Sequence, residues 1–285
     1  MKPRNNAYVI ILAAGKATRL RPLSDQIPKP LININGIPMI TRIISNFKQA
    51  GFSKFIALVG YKQELIRAEL LKVQDIELQI IEQVKQVGSA DALMLCLNQF
   101  NERKSSRLTF FVTAADIIFF KNELTLMFSL YRNSKADIIL SLMKSKDKNI
   151  ARGHGNVKVS KNSDMTADSN SNRGLEIVDI IEKPREDQIL SDYYSLPLYI
   201  FNQTIIKNLV SVDISIRGEK EVQDAIKKSI VDGFRVKGIK VIKHDITSED
   251  LGRYHVTYLS DIEKMSERVR EIESRIKFKK FDSRK

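Results

Sequence analysis

YVIILAAGKATRLRPLSDQIPKPLINI, residues 8–34, is the stretch that decides how this chain is read. Its first five residues, Tyr8-Val9-Ile10-Ile11-Leu12, are apolar without alternation, as in a strand buried on both faces of a parallel sheet. Ala13, Ala14 and Gly15 follow, small residues that let backbone N–H groups come close to an anion. Lys16, Arg19, Arg21 and Lys29 bring matching positive charge. Together these features describe a phosphate-binding loop after the first strand of an α/β sheet. It is not a Walker A loop, because no G-x-x-x-x-G-K-[ST] occurs, and Gly15 lacks the partner glycines of the Rossmann fingerprint.

Working outward, apolar runs alternate with helical patterns through the first half. Strands are expected at Tyr8–Ala13, Lys54–Gly60, Leu78–Glu82, Leu108–Thr113 and Asp137–Leu142, and helices near Pro38–Ala50, Gln63–Lys72 and Ser89–Phe100. Strands separated by helices of this length imply βαβ crossovers and a mainly parallel sheet. Ligands then belong beyond the carboxyl ends of the strands, where the basic loop lies. The second half is richer in strands, with a hairpin of Gly155–Val159 and Leu175–Glu182 around the polar loop Ser160–Arg173. A strand at Leu198–Phe201 and a helix at Glu221–Asp232 follow. Near the end Ile262, Met265, Val269, Ile272 and Ile276 recur at helical spacing, a stripe expected to pack on the chain's own core, with a dimer contact as the alternative.

Composition narrows the class. The chain has 285 residues, 43% hydrophobic and 28% charged, enough for one large α/β domain or two smaller ones. No apolar run approaches the roughly 18 residues of a membrane span. The start, MKPRNNAYVIILAAG, imitates a signal peptide but leads into the charged loop and reads as strand one. The one cysteine, Cys96, excludes an internal disulfide, fits the cytoplasm and reads as a buried helical thiol within ALMLCL. The formal charge of +13 is spread along the chain without tryptophan, so no nucleic-acid partner is assigned. Only the tail, Arg275 to Lys285, concentrates charge, with six basic residues against one acid. His154, His244 and His255 share no metal-ligand spacing and read as structural or surface residues.

Leu12-Ala13-Ala14-Gly15, Thr18-Arg19-Leu20, Pro22-Leu23-Ser24 and Pro28-Lys29-Pro30-Leu31 resemble the nucleotide-binding loop of the sugar-1-phosphate nucleotidylyltransferases, L-A-[AG]-G-x-G-T-R-L-x-P-L-[TS]…P-K-P. One position departs, since Ala17 stands at the family's second glycine. Where that position needs positive φ, alanine costs about 1 kcal/mol. The resemblance runs from about Tyr8 to Asp261 and implies an α/β fold of the nucleotide-diphospho-sugar transferase type. That means a mainly parallel, Rossmann-like central sheet, a small β-rich sugar-side subdomain and a C-terminal helix. It also implies a domain over residues 1–259, with a nucleotide half at about 1–145, a sugar half at about 146–259, and a helix with a basic tail over 260–285.

The resemblance further implies roles. Leu12, Ala13, Ala14, Gly15 and Lys16 would form the nucleotide loop. Arg19 would hold the leaving phosphates and Lys29 the α-phosphate. Gln83 with Gly88 and Ser89 resembles Q-x-x-x-x-G-T-A, which reads the base, and Ser89 is equally a helix N-cap. Asp116 would be the first Mg²⁺ ligand, and Asp250, in Asp250-Leu251-Gly252, the second, with Asp245 competing. Glu182 and Lys183, in I-x-E-K-P, would hold the sugar hydroxyls and the sugar phosphate, and the hexose would pack over Gly155. Pro197 replaces a glycine often seen in the family. Glu219 and Asp224, in a segment resembling G-E-x-x-x-[TS]-D-A-[IL], are read as structural.

The implied activity is Mg²⁺-dependent transfer of a nucleotidyl group from an NTP to a hexose 1-phosphate, giving an NDP-sugar and pyrophosphate. Glucose 1-phosphate with dTTP or UTP comes first, then mannose 1-phosphate with GTP, then a phosphocholine or inositol-phosphate cytidylyltransferase. A regulatory or scaffold subunit of the same fold is the alternative of another class. The expected partners are NTP and sugar 1-phosphate, in a cytoplasmic homo-oligomer without membrane contact.

Overall fold

The apolar run becomes the strand β1, Ala7–Ala13, and the rest of the molecule is built around it. The computed structural model describes residues 6–100, 108–164 and 173–282. After β1 the basic loop carries a one-turn helix α1 (Leu23–Gln26) and ends in a small ribbon of β2 (Asn33–Ile34) and β3 (Ile37–Pro38). Then come α2 (Met39–Gln49), β4 (Lys54–Val59), α3 (Gln63–Leu70), β5 (Glu77–Glu82), α4 (Ser89–Leu97) and β6 (Thr109–Ala114). The chain continues through α5 (Lys121–Ser134), β7 (Ile138–Lys144), β8 (Gly155–Val159), α6 (Lys161–Asp164), β9 (Leu175–Glu182) and β10 (Tyr193–Asn202). It closes with α7 (Ile206–Val210), α8 (Val222–Val231), β11 (Val236–Lys240) and α9 (Leu259–Asp282).

Nine strands form one sheet in the order β5-β4-β1-β6-β10-β7-β11-β9-β8. Successive side chains of a strand point to opposite faces, so β1 feeds two cores. Val9, Ile11 and Ala13 enter the layer with α2, α3, α5 and α9, while Ile10 enters the layer with α4, α7 and α8. Each large aliphatic group buried this way stabilises the fold by about 1.5–3 kcal/mol relative to exposure. The stripe on α9 packs inward as expected. Met265 and Val269 are fully buried, Ile262 and Ile272 pack against the same core, and Ile276 remains exposed. Cys96 is buried on α4, and burial pushes its thiol up to about 12.

The expectation of a mainly parallel sheet needs correction. β5, β4, β1 and β6 are parallel and β11 is parallel to β7, but β10 runs antiparallel to β6, β7 and β8, and β9 runs antiparallel to β8 and β11. The sheet is mixed. β9 and β10 run in the same direction without pairing, each antiparallel to β8, and β10 enters between β6 and β7 against the direction of both. β10 also joins the two halves of the chain, because it lies between β6 and β7, so both halves share a single sheet. It begins earlier than the sequence suggests, running through Pro197 at a register shift between Ser195 and Tyr199. A bulge is where a central strand tolerates proline. The polar loop Ser160–Arg173 falls partly outside the described residues, as does the end of the basic tail.

Candidate active site

A cavity of about 460 Å³ opens at the carboxyl ends of β1 and β6. Leu12, Ala14 and Gly15 line it from the first loop, Gln83, Gly88 and Ser89 from the segment after β5, Asp116 from beyond β6, and Glu182 and Lys183 from the end of β9. Residues about 170 positions apart in sequence therefore face one space. Ala13 instead packs into the core under α2, and Lys16 and Arg19 are exposed and lie outside the cavity lining. Arg19 sits in a 3₁₀ turn, Thr18–Leu20, entered through Ala17 at φ 51° and ψ 47°. The departure from glycine thus falls on a left-handed residue.

The centre of the site is Asp116. Its Oδ2 lies 2.8 Å from Lys29 Nζ and 2.8 Å from His255 Nε2. Burial alone would push this carboxyl up; the positive fields of His255 and Lys29 outweigh it and hold the group well below the usual carboxylate range. Asp116 Oδ1 is buried without a hydrogen-bond partner. Lys29 begins a 3₁₀ turn between two prolines, which restricts the backbone that carries the ammonium.

Asp250 does not take the second-ligand position. Its carboxylate accepts the Thr247 N–H and hydroxyl, each at 2.9 Å, and closes a turn away from the cavity lining. The C-terminal segment delivers His255 to Asp116 instead. Val256 N donates to Asp116 O at 3.0 Å and Ile117 pairs with His255, so backbone pairing fixes the approach. No spacing in the sequence signalled this, because the contact depends on a β-bridge between distant segments. Among the described residues no three His, Cys, Asp or Glu side chains converge on a metal position. A cation here would hold to Asp116 and share its remaining positions with ligand phosphates, an arrangement that suits Mg²⁺. The unpartnered Asp116 Oδ1 fits that role.

Ser89 also differs from its expected part. Gly88 caps α4, and Ser89 is the first helical residue, its hydroxyl accepting from Val222 N at 2.9 Å and donating to Glu221 Oε2 at 3.3 Å. This ties the wall of the cavity at the start of α4 to the segment before α8. Gly88 is required there: at φ +129°, an added Cβ would lie 2.3 Å from Lys220 O and 2.5 Å from Lys220 N. Gln83 is buried and donates to Asp91 Oδ2 at 3.2 Å, and Gln86 Nε2 holds Ala14 O at 2.5 Å, fixing the end of the first loop.

At the other end, burial pushes Glu182 up to about 7, with Lys183 opposing and Glu221 adding to the shift. Its Oε2 has no partner, while Oε1 lies 3.4 Å from Lys183 Nζ. Lys183 has φ +44°, a left-handed conformation that costs a non-glycine residue about 1–3 kcal/mol and that concentrates at functional positions. Gly155 does not line the cavity but lies beneath it. A Cβ there would meet Ser195 Oγ at 2.7 Å and Glu182 Oε2 at 3.0 Å. Four residues read as structural or not singled out also line this end: Tyr199, Glu219, Glu221 and Gln223. Gln223 Nε2 donates to Tyr199 Oη at 3.0 Å, leaving its Oε1 unpartnered. Arg217 binds Glu221 Oε1 and the Glu182 carbonyl, each at 3.1 Å. The G-E-x-x-x-[TS]-D resemblance was the signal that could have placed Glu219 and its neighbours here.

A larger hollow of about 1090 Å³ lies between α2, α5 and α9. Its buried cation, Arg268, is already satisfied by Glu123 Oε1 at 3.1 Å and Ile118 O at 3.0 Å. Convergent and unsatisfied polar groups lie in the smaller cavity, which is the candidate active site.

The comparisons with known proteins bear on the family and the fold. The chain is 28% identical over 263 residues to the UTP--glucose-1-phosphate uridylyltransferase AglF of Haloferax volcanii, covering 92% of this chain and 96% of that protein. It is 29% identical over 232 residues to the Bifunctional protein GlmU of Methanococcus maripaludis, spanning 81% of this chain and 49% of that one, about half its length. A crystal structure of apo UDP-glucose pyrophosphorylase shares the fold, with a TM-score of 0.72, 15% identity and coverage of 94% and 99%. Residues 8–255, from the first strand to the histidine beside Asp116, match the family described as Nucleotidyl transferase, and the chain belongs to that family.

Proposed function

We propose that this chain transfers a nucleotidyl group from an NTP to a hexose 1-phosphate and releases pyrophosphate, with glucose 1-phosphate and UTP or dTTP as the leading pair. The observation that supports this most is that one cavity is lined by Asp116, which Lys29 pairs from outside the lining at 2.8 Å, and by Glu182 and Lys183. The base end is built by residues before about 145 and the acceptor end by residues of 146–259, while 260–285 add a helix and tail. Asp116 would hold Mg²⁺, which when bound neutralises triphosphate charge and polarises the α-phosphorus.

The sugar phosphate is already ionised, so the reaction needs no strong general base. Its oxygen forms a bond to the α-phosphorus as the bond to the β-phosphate oxygen breaks, and that electron pair leaves with pyrophosphate. Positioning and charge neutralisation carry such a step. Lys29, beside Asp116, would meet charge on the α-phosphate, and the exposed Arg19 would meet the leaving phosphates. Lys183 holds the acceptor phosphate, and Glu182 Oε2 and Gln223 Oε1 await hydrogen-bond donors from the sugar. Among the described residues no helix is long and apolar enough to cross a membrane.

The test is pyrophosphate release with Mg²⁺, each of dTTP, UTP, GTP and CTP, and glucose or mannose 1-phosphate. Turnover with one pair, lost in Asp116→Ala and Lys183→Ala, supports the proposal. Nucleotide binding without turnover for any pair points to another acceptor or a regulatory subunit.

A further inference from the structure

The two segments that meet at Asp116 are held together by the helix α9, which begins beyond the family-matched residues 8–255. Ile117 and His255 form an antiparallel bridge, so Ile118 and Tyr254 are the next pair across it. Arg268 of α9 touches both members of that pair. Its Nη1 donates to Ile118 O at 3.0 Å, and its guanidinium carbon lies over the Tyr254 ring, 4.5 Å from the centroid. It also lies 5.1 Å from the Phe120 ring centroid and donates from Nη2 to Glu123 Oε1 at 3.1 Å. Glu123 Oε2 in turn accepts from Phe120 N at 2.7 Å and fixes the start of α5.

Arg268 is only 6% exposed, and burial lowers its pKa from the ordinary arginine value. A buried ion pair gains little over an apolar pair of the same volume, so stability alone does not account for this one. Its donors are divided, one to the carboxylate of Glu123 and one to a backbone carbonyl two residues from Asp116. A planar guanidinium with donors at fixed angles sets the spacing of the groups it holds, which a flexible ammonium does not.

We propose that Arg268 is a positioning residue for the nucleotide end of the cavity: by holding Ile118 and Tyr254 together it sets where Asp116 and His255 stand before nucleotide binds. This rests on the nucleotidyl-transfer reading of the cavity and adds to it a side chain outside the lining. Asp116 lines the cavity and Arg268 does not, so the effect passes through the bridge. Glu182 and Lys183 are carried by the end of β9, which takes no part in the bridge, so acceptor binding should be spared.

The experiment uses the full chain and compares wild type with Arg268→Met/Glu123→Gln, Arg268→Lys and Glu273→Gln. The double variant removes both charges, leaves no unpaired ion buried, and keeps an acceptor for Phe120 N. Glu273→Gln weakens a different tie of α9, Arg42 Nη1 to Glu273 Oε1 at 2.6 Å. The readouts are calorimetric binding of UTP with Mg²⁺, kcat and KM for the active acceptor, and thermal unfolding. The double variant should bind nucleotide at least about tenfold more weakly and lose kcat by a similar factor, with acceptor KM within about twofold. Arg268→Lys, with the charge but not the fork, should fall between it and wild type. Glu273→Gln should lower the unfolding temperature and leave nucleotide affinity unchanged. Wild-type nucleotide affinity in either Arg268 variant, equal losses for nucleotide and acceptor, or the same loss in Glu273→Gln overturns the positioning role and leaves the nucleotide reading intact. A wild-type protein that binds none of the four NTPs overturns that reading as well.

Discussion

Replacing Gly88 by alanine tests whether two walls of the cavity, the turn before α4 and the segment before α8, are one unit. The new Cβ would lie 2.3 Å from Lys220 O, 2.5 Å from Lys220 N and 2.9 Å from Lys220 C. All three are backbone atoms, so no side chain can rotate aside. The walls must separate, which breaks Lys220 N to Val87 O at 2.7 Å and Ala90 N to Lys220 O at 2.9 Å and strains the Ser89 contact to Val222. Each lost hydrogen bond removes about 1 kcal/mol, and alanine at this positive φ adds about 1–2 kcal/mol. The total is on the order of 3–5 kcal/mol. At roughly 2–4 °C per kcal/mol for a large domain, the melting temperature should fall by about 10 °C. Gly218→Ala is the control, since its φ is +77° but nothing lies within 4 Å of an added Cβ. It should lose only the backbone part, about 1–2 kcal/mol. The assay is urea unfolding of both variants with nucleotide titration under native conditions. A Gly88→Ala protein within about 1 kcal/mol of wild type, or one no worse than Gly218→Ala, would refute the claim that the two walls are locked together.

Gly15→Ala should behave in the opposite way. Nothing lies within 4 Å of an added Cβ, so urea unfolding should be unchanged while nucleotide affinity falls at least about fivefold, if phosphate approaches this backbone. Ala17→Gly relieves a left-handed alanine at φ 51°, and unfolding should show about 1 kcal/mol of added stability. Lys29→Met should lower kcat by a factor of about 100 or more with modest change in KM, because its charge matters most in the transition state. A drop confined to KM would remove that role. Glu182 titrates near 7 in the fold, above its unfolded value of 4.5. The folded state therefore binds more protons between these values, and wild type should lose about 2–3 kcal/mol relative to Glu182→Gln as pH rises through that window. Lys183, Glu221 and Arg217 face the carboxyl, and the buried His154, lowered to about 3, titrates with the opposite slope. The difference between the two proteins isolates Glu182, and parallel stability curves would rule the effect out.

The fold was legible where a single physical rule decides the outcome. Residues 8–12 lack alternation because β1 is buried on both faces, and the small residues after it mark where backbone must meet a ligand. The direction of β10 was not legible, because it is set by pairing with β6, β7 and β8, strands distant in sequence, and no local pattern encodes that choice. Pro197 compounded this by making a continuous central strand look broken, when the register shift absorbs it. At the site, Gln83, Gly88, Asp116, Glu182 and Lys183, singled out by their resemblance to family motifs, all line one cavity because those motifs sit at or just beyond strand ends. Asp250 could not be judged from spacing: carboxylates near a glycine are also good turn formers, and this one closes a turn on Thr247. Gln223 was hidden because its unpartnered oxygen follows from a hydrogen bond to Tyr199, a pairing no local pattern encodes.

Ala17 and His255 stand at opposite ends of the matched region, yet on the proposed function both would bear on the same phosphates. A left-handed alanine could be replaced by glycine without steric cost, so its retention matters. Glycine in that loop would lose more backbone entropy on ordering. Alanine keeps the turn at residues 17–20 rigid before any nucleotide arrives, which benefits a site whose leaving-group cation, Arg19, is exposed and must be held by backbone alone. His255, like Lys29, lies 2.8 Å from Asp116 Oδ2, and both lower that carboxyl. On this argument the turn at Ala17 and the cluster at Asp116 are both set before any nucleotide arrives, and Ala17→Gly combined with His255→Ala should weaken nucleotide binding while leaving the acceptor unchanged. A change of acceptor in that double variant would show that the two ends of the cavity are coupled through more than the shared phosphates.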